Sequence, residues 1–202
     1  MQKDNFAHKA AEWDTPSKKG MTDKFVKEMM LQITIHPQWK GLEIGAGTGL
    51  VGLQIAPYLK NIVFEDTSEA MLEVLKSKLG KDSPHEILHA EIFEYTKQDI
   101  DFVFSCMAFH HLPDIDKALK HINKIITKDA IIVVGDILTE DGSFHRFEPI
   151  HHKGFDLSKL MHQFIDAGFE ILTAHSYNTL TRERTPGVFT DYEQFILVAK
   201  KI

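Results

Sequence analysis

Apolar residues occur along this chain in two arrangements, short continuous runs and helical spacing. The short runs, bounded by glycine, proline or polar residues, predict buried β-strands. They cover residues 42–44, 62–64, 86–90, 100–106 and 130–134. Segments with apolar residues three or four positions apart lie between and beside these runs and predict helices. They cover residues 22–33, 50–58, 69–79, 115–126 and 157–165.

The order of these elements favours a mostly parallel sheet. Strand and helix alternate from residue 39 to residue 134, which places helices on both faces of such a sheet. The end of the chain differs, because strands near residues 169–175 and 192–199 are separated only by a loop over residues 178–190. Two strands joined by a loop are normally antiparallel, so we expect a C-terminal antiparallel hairpin.

Short polar side chains precede three helical segments and can accept a hydrogen bond from the first helical turn. They are Ser68, Asp114 and Asp156. Near the N-terminus we interpret residues 18–20 as a turn that follows a short amphipathic helix ending near Trp13. The next helix then begins at Thr22 or Asp23 and presents an apolar face to the core.

The first strand leads into a glycine-rich turn that contains Gly45, Gly47 and Gly49. Alternate glycines permit positive φ and a close approach of the backbone, and the amides of the next helix face the same space. This arrangement predicts a site for a nucleoside-containing cofactor. Residues 47–52 also satisfy the G-x-G-x-x-G pattern of dinucleotide binding. However, the carboxylate of Glu43 would repel a pyrophosphate and favour an ammonium group.

Four segments resemble the motifs of class I S-adenosylmethionine-dependent methyltransferases. Residues 42–49 read Leu-Glu-Ile-Gly-Ala-Gly-Thr-Gly, and residues 66–72 read Asp-Thr-Ser-Glu-Ala-Met-Leu. The third segment is residues 91–92, and the fourth is residues 101–112, which end in His-His-Leu. The resemblance extends over about residues 39–200. It implies a single Rossmann-like α/β domain with a mostly parallel seven-stranded sheet, a C-terminal antiparallel hairpin and helices on both faces.

The resemblance implies S-adenosylmethionine as cofactor and S-adenosylhomocysteine as its product. Glu43 would lie near the amino-acid portion of the cofactor, and Asp66 would bind the ribose hydroxyls. Glu65 is then a solvated neighbour, or the ribose ligand itself if the register shifts by one residue. Glu91 would accept from the adenine amino group while Ile92 packs on the ring. The expected cofactor-binding residues are Glu43, Gly45, Ala46, Gly47, Gly49, Asp66, Thr67, Met71, Glu91, Ile92, Ser105, Cys106 and Met107.

Two histidines after the fourth predicted strand are candidates for acceptor chemistry. Because imidazole generally titrates near neutral pH, His110 or His111 can serve as a general base, or either can only position the substrate and pack the next helix. Residues 138–155 form an insertion that we expect to roof the substrate pocket. Its expected contacts are Phe144, His145, Arg146, Phe147, His151 and His152.

A metal cluster is an alternative interpretation of five of these histidines. They are His110, His111, His145, His151 and His152. Imidazoles bind zinc, iron or nickel, but the sequence has neither the H-E-x-x-H motif nor a Cys/His structural pattern. We therefore expect no metal, and we interpret the single cysteine, Cys106, as a buried structural thiol.

We expect two parts in the chain, a helical cap over residues 1–36 and the methyltransferase domain over residues 37–202. In related methyltransferases an N-terminal helix often covers the cofactor site as a lid. The alternative is a loosely docked helix whose Trp13 fills a surface groove. Arg182 and Arg184, in the predicted final loop, either bind a substrate carboxylate or remain solvated.

Composition narrows the function classes. A chain of 202 residues with 43% apolar residues fits one domain, and a net charge of −6 without a basic block argues against nucleic acid as a partner. The sequence has no apolar run of membrane-spanning length, and its N-terminus does not resemble a signal peptide. A single cysteine cannot form an internal disulfide, so we expect a cytoplasmic protein. We also expect that it acts on a small molecule and has no membrane partner. The oligomeric state stays open.

Two other functions remain compatible with the glycine turn. One is an NAD(P)-dependent oxidoreductase, although the sequence has no Tyr-x-x-x-Lys pair and the helix-free final strands are unusual for that class. The other is a catalytically inactive protein that binds an adenosyl cofactor.

Overall fold

The protein is described by a computed structural model that covers residue 4 and residues 6–145 and 150–202. Arg146 and Phe147, two expected contacts of the insertion, lie outside the described residues. The strands are β1 Lys40–Ile44, β2 Asn61–Asp66, β3 Glu86–His89, β4 Ile100–Cys106, β5 Ile126–Ile137, β6 Phe169–Thr185 and β7 Val188–Lys201. The α-helices are α1 Pro16–Gln32, α2 Gly52–Ile55, α3 Glu69–Lys78, α4 Ile115–Ile125 and α5 Leu157–Asp166. None of the helices described is long and apolar enough to cross a membrane.

The seven strands form one sheet in the order β3-β2-β1-β4-β5-β7-β6. The first five strands are parallel, and β7 pairs antiparallel with both β5 and β6. The predicted mostly parallel sheet with a C-terminal antiparallel hairpin is therefore confirmed. The strand order reverses between β1 and β4, and in open α/β sheets ligands bind beyond the carboxyl ends of the strands at such a point.

Helices cover both faces of the sheet, so the central strands are apolar on both sides. In β4, Phe102 and Phe104 pack in the layer that contains Phe25 of α1, whereas Val103 packs in the layer that contains Leu119 of α4. All five side chains are fully buried. Burying a side chain of this size contributes about 1.5–3 kcal/mol, so these layers supply much of the stability of the fold.

Helix starts marked by a short polar residue are confirmed at three places. Ser68, Asp114 and Asp156 each accept a hydrogen bond from the backbone amide three residues later. The predicted start of α1 at Thr22 or Asp23 is wrong. Thr15 caps this helix and Pro16 follows as its first residue, because proline's fixed φ and missing amide suit that position.

Three other boundaries differ from the prediction. The helix predicted over residues 50–58 contains only the four residues of α2 and a 3-10 turn, Ala56–Tyr58, because Pro57 cannot continue an α-helix. The segment before Trp13 is a 3-10 helix, Ala7–Glu12. The loop predicted over residues 178–190 is wrong, because β6 continues to Thr185 and β7 begins at Val188.

A candidate site for an adenosyl cofactor and its acceptor

A cavity of about 760 Å³ opens at the carboxyl ends of β1, β2 and β4, beside the reversal of strand order. Its volume lies within the range of about 300–1,000 Å³ that ligand pockets occupy. Most of the residues expected to bind cofactor or acceptor lie on its wall. They are Glu43, Gly45, Ala46, Gly47, Asp66, Thr67, Met71, Glu91, Ile92, Cys106, Met107, His110 and His111.

The glycine turn has the positive backbone angles that its sequence predicts. The φ angles of Gly45, Gly47 and Gly49 are 69°, 52° and 82°. A Cβ on Gly45 would lie 2.3 Å from Cβ of Ala108, so this position admits only glycine without a shift of its neighbours. A Cβ on Gly47 would meet no atom within 4 Å. Gly47 therefore leaves space for a ligand, whereas Gly45 permits the β1 turn to pack against the loop after β4.

Two predicted cofactor-binding residues, Gly49 and Ser105, do not lie on the cavity wall. The Gly49 amide donates to the Ala46 carbonyl and closes the turn. The Ser105 hydroxyl is fully buried and donates to the Ile44 carbonyl at 2.9 Å, which joins β4 to β1. Both residues shape the cavity without contacting its interior.

Three acidic side chains lie beside the glycine turn on the cavity wall. Glu43 Oε1 accepts from the Gly52 amide at 3.2 Å. A Cβ on Gly52 would lie 2.2 Å from the other oxygen of Glu43, so this glycine makes room for the carboxylate beneath α2. Glu65 accepts from the Gly45 amide at 3.2 Å, and Asp66 accepts from the Gly47 amide at 2.7 Å. The acids therefore hold the turn in place as well as lining the cavity.

Burial disfavours the ionised form of these acids in the cofactor-free protein. Desolvation raises the pKa of Glu43 well above its usual value, and desolvation together with the charge of Asp66 raises the pKa of Glu65 to about 8. The pKa of Asp66 is also raised by burial. Glu43 Oε2 is buried without a hydrogen-bond partner in the part of the chain that the structure describes. A cation or hydrogen-bond donor in the cavity would relieve this cost.

The interpretation of Glu65 as a solvated neighbour is wrong. Only 4% of this residue is exposed, and it lies on the cavity wall. Asp66 also accepts from the Ser68 amide at 2.8 Å, so it is held from both sides at the end of β2. The sequence left Glu65 open as either a solvated neighbour or the ribose ligand, because adjacent acids at a strand end cannot be told apart by position alone. Here the strand ends at the cavity, and both are enclosed.

The loop after β4 begins with two residues in unusual environments. Met107 has a φ of 57°, which is uncommon for a residue with a side chain, and its amide donates to the Gly135 carbonyl at 2.7 Å. Burial, Asp136 and Glu43 together raise the pKa of the Cys106 thiol well above its usual value. Because the thiolate is the reactive form of cysteine, this thiol is suited to packing.

His110 is held by a buried aspartate at the end of β5. Its Nδ1 lies 2.7 Å from Asp136 Oδ1, and its backbone amide donates to Asp136 Oδ2 at 3.1 Å. The Ile137 amide also donates to Oδ1 at 2.8 Å, so Asp136 accepts from several donors as a carboxylate does. Nδ1 therefore carries the proton. Nε2 has no hydrogen-bond partner among the residues that are described, and His110 lines the cavity.

Asp136 was missed as a functional residue by sequence reasoning. The available signal was its position, since an acid that ends a fully apolar strand at the ligand-binding edge of a parallel sheet rarely lacks a role. The side chain is fully buried, so it needs the histidine and the two amides to balance its charge.

Two other histidines surround His110. The ring centroids of His111 and His145 lie 4.2 Å and 4.3 Å from the ring centroid of His110. The insertion is fixed to the same loop, because the amides of His151 and His152 donate to the His110 carbonyl at 3.2 Å and 3.1 Å. His145 and His151 line the cavity, as does Phe144.

The extended β6–β7 hairpin brings two arginines to the cavity wall. Arg182 and Arg184 lie on β6 and not in a loop. The guanidinium carbon of Arg182 lies 3.8 Å from the ring centroid of Phe144, and Arg184 donates to the Phe144 carbonyl at 2.8 Å. Arg184 also donates to the Tyr192 hydroxyl at 3.0 Å. The hairpin and the insertion therefore support each other where they approach the histidines.

The N-terminal segment lies along the cavity, from the glycine turn to the histidines. Phe6 and Trp13 are on its wall, and Phe6 packs edge-to-face on His111 with 5.4 Å between ring centroids. Asp14 accepts from the Thr48 hydroxyl and from Lys78 Nζ, the latter at 2.6 Å. The first turns of α1 also reach the cavity wall, with Lys18, Met21 and Thr22, whereas Phe25 and Met29 further along α1 pack against the sheet.

The fold and the site define a class of protein. A Rossmann-like sheet ends in an antiparallel hairpin, and a glycine turn with acids at the ends of β1 and β2 faces an enclosed cavity. These are features of proteins that bind an adenosyl cofactor at the point where the strand order reverses.

Comparison with known proteins shows similarity to methyltransferases. A family model for a methyltransferase domain matches residues 42–132. An uncharacterised methyltransferase of Schizosaccharomyces pombe is 26% identical over 146 residues, which are 62% of this chain and 51% of that protein. One of Oceanobacillus iheyensis is 28% identical over 134 residues, 63% of this chain and 62% of that protein. Over residues 42–132 the chain is therefore similar to methyltransferase domains.

Solved structures share the fold. A chain from the complex between the Haloferax volcanii Trm112 methyltransferase activator and a methyltransferase has a TM-score of 0.81 and 17% identity, and the match covers 99% of both chains. The Bacillus subtilis YcgJ protein has a TM-score of 0.71 and 16% identity, with 87% of this chain and 97% of that chain covered. The chain aligns with only 51% and 62% of the length of these two curated relatives.

Proposed function

We propose that this protein transfers the methyl group of S-adenosylmethionine to a small, anionic acceptor molecule. The observation that carries the proposal is the polarity of the cavity. Its β1–β2 end is lined by Glu43, Glu65 and Asp66, and its other end by four histidines and by Arg182 and Arg184, with Glu183 between the two arginines. The acidic end suits the ammonium and sulfonium groups of the cofactor, and the basic end suits an anion.

The residues at the acidic end fit the cofactor that the family uses. The space beside Gly47 and the constrained carboxylate of Asp66 suit a ribose with two hydroxyl donors. Ile92 is buried on the cavity wall and suits an adenine ring, with Glu91 beside it as the acceptor for the amino group. The cofactor supplies a methyl group activated by a positively charged sulfur.

Positioning is the main contribution that the protein makes to such a reaction. Methyl transfer requires an acceptor atom in line with the methyl group and the leaving sulfur, and correct placement contributes up to about 7–11 kcal/mol in favourable reactions. His110 and His111 contact this acceptor. Where the acceptor is a hydroxyl or a protonated amine and no metal ion is bound, His110 Nε2 takes its proton, because Asp136 holds the proton on Nδ1 and stabilises the imidazolium.

The N-terminal segment acts as a lid over the cofactor end of the cavity. Hydrogen bonds join this segment to the elements that form the cofactor site. Asp14 accepts from Thr48 and Lys78, and Asp4 accepts from the Ser68 hydroxyl at 2.9 Å. Phe6 and Trp13 exclude water from the cavity, which protects the reactive sulfonium and strengthens the electrostatic contacts inside.

Calorimetry with S-adenosylhomocysteine and with NAD tests the cofactor. We expect the wild type and Glu73→Ala, an exposed acid on α3, to bind S-adenosylhomocysteine equally well. Asp66→Ala should bind it about 10–100-fold more weakly, because one charged acceptor of two hydroxyl donors contributes about 1.5–3 kcal/mol. Binding of NAD alone would favour the oxidoreductase alternative and contradict the proposal.

Turnover tests the acceptor. Transfer of labelled methyl groups to a panel of small metabolites should favour acids over their neutral analogues. Arg182→Gln should raise the KM for the acidic acceptor about tenfold and leave the affinity for S-adenosylhomocysteine unchanged. Lys27→Gln, which removes an exposed charge from α1, is the matched control. A protein that binds the cofactor but methylates nothing would support the inactive cofactor-binding alternative.

A further inference from the structure

We propose that His110, His111 and His145 form a binding site for a divalent transition-metal ion of the zinc type at the acceptor end of the cavity. The three residues come from two separate parts of the chain, the loop after β4 and the insertion after β5. One ring nitrogen from each lies within 4.8 Å of the ring nitrogens of the other two.

The geometry is close to that of a tetrahedral site. A zinc–nitrogen distance of about 2.0–2.1 Å places the ligand atoms of a tetrahedron about 3.3–3.4 Å apart. The observed group is wider than this by at most about 1.5 Å, because its separations do not exceed 4.8 Å. His111 and His145 are half-buried, so rotation of their side chains can close the difference around the fixed ring of His110.

The buried partner of His110 supports a ligand role. A metal-binding histidine typically donates its second ring N–H to a carboxylate or carbonyl, which fixes the tautomer and raises the basicity of the coordinating nitrogen. Asp136 accepts from Nδ1 at 2.7 Å, and Nε2 is buried without a hydrogen-bond partner within the described parts of the chain. Asp136 is completely buried, so it holds the His110 ring in a fixed position.

Three histidine ligands leave a fourth position for water or the acceptor, as in catalytic zinc sites. His110, His111 and His145 all line the cavity, so that position faces the space where we propose that the acceptor binds. A divalent ion there lowers the pKa of a bound hydroxyl or thiol and attracts an anionic acceptor. This role rests on the proposed function, whereas the binding of the ion does not.

Metal titration of the 202-residue protein, after treatment with a chelator and its removal, tests the site directly. We expect one Co²⁺ per chain with the intense visible absorption of a tetrahedral complex, displaced by Zn²⁺. His145→Ala and His111→Ala should each weaken Zn²⁺ binding at least about 100-fold, and Asp136→Asn about 10–100-fold. His162→Ala removes an exposed histidine of α5 and should change nothing.

A second measurement separates this inference from the proposed function. Circular dichroism and S-adenosylhomocysteine affinity of the His145→Ala and His111→Ala variants show whether each variant is folded. Loss of Zn²⁺ binding in folded variants supports the site. The inference is overturned if the wild type binds no stoichiometric ion or if folded His145→Ala keeps the wild-type affinity for Zn²⁺. It is also overturned if His162→Ala weakens Zn²⁺ binding as much as His145→Ala does. Zn²⁺ binding without cofactor binding would contradict only the proposed function.

Discussion

Two glycines of the cofactor turn are expected to respond oppositely to the same substitution. Gly45→Ala should destabilise the fold, because its Cβ would lie 2.3 Å from Cβ of Ala108 and its φ is 69°. Gly47→Ala, at a φ of 52°, should meet no protein atom within 4 Å and should fill ligand space instead. One variant therefore tests packing of the turn, and the other tests its use as a binding site.

The magnitudes follow from the two costs. An alanine in the left-handed region costs about 1–2 kcal/mol, and forcing extra volume into a packed site costs about 1–3 kcal/mol more. Gly45→Ala should therefore lose about 2–5 kcal/mol of unfolding free energy, and Gly47→Ala about 1–2 kcal/mol. In a domain of this size, 1 kcal/mol lowers Tm by about 2–4 °C.

Chemical denaturation of the cofactor-free protein measures these losses, and calorimetry with S-adenosylhomocysteine measures binding. Gly20→Ala is the matched control, because Gly20 lies inside α1 with no atom within 4 Å of a built Cβ. It should stabilise the protein by about 0.5–1 kcal/mol. The reasoning is refuted if Gly45→Ala unfolds at the wild-type midpoint, or if Gly47→Ala keeps full affinity for the ligand.

Three other predictions concern the walls of the site. Because burial raises the pKa of Glu65 to about 8, above the usual value of 4.5, the cofactor-free protein should lose stability as pH rises between those values. Glu65→Gln should reduce that loss in denaturation curves; an unchanged slope would contradict it. Ser105→Ala should lower the free energy of unfolding by about 1 kcal/mol in denaturation curves and leave the cofactor affinity unchanged in calorimetry. Weaker cofactor binding would indicate that Ser105 contacts the cofactor. Asp14→Ala, but not the exposed Glu12→Ala, should speed S-adenosylhomocysteine dissociation in stopped-flow measurements about tenfold; equal rates would argue against a lid.

Local signals made most of the fold predictable. The strands of the parallel part contain short, mostly apolar segments, and Ser68, Asp114 and Asp156 fix helix starts through hydrogen bonds from amides three positions away. Such information is contained in a few neighbouring residues. The same holds for the glycine turn, where the sequence itself requires positive φ.

The errors arose where a local signal was outweighed or overlooked. The Thr15-Pro16 pair marks the start of α1, but the glycine at position 20 suggested a turn that packing of the rest of the helix overrides. Pro57 ended α2 early. In the outer part of the hairpin, β6 pairs only with β7, and polar residues lie on both faces. The sequence there therefore lacks the alternation of apolar and polar positions that predicts a strand.

The acceptor end of the site was the least predictable part. His110 and His111 were identified from their position after a strand, but their neighbours come from far along the chain. Asp136 and His145 reach them through pairing of β4 with β5 and folding of the insertion, which no single segment encodes. A cluster of this kind depends on tertiary contacts and becomes visible only in the structure.

The two ends of the cavity draw on different but overlapping parts of the sequence. The glycine turn and its acids lie before residue 92, inside the segment matched by the family model, whereas Phe144, His145 and Arg182 lie beyond residue 132. His110 and His111 lie within the matched segment. Under the proposed function, exchange of the insertion and the hairpin between distant relatives would therefore change the choice of recipient only in part and leave methyl-donor recognition intact.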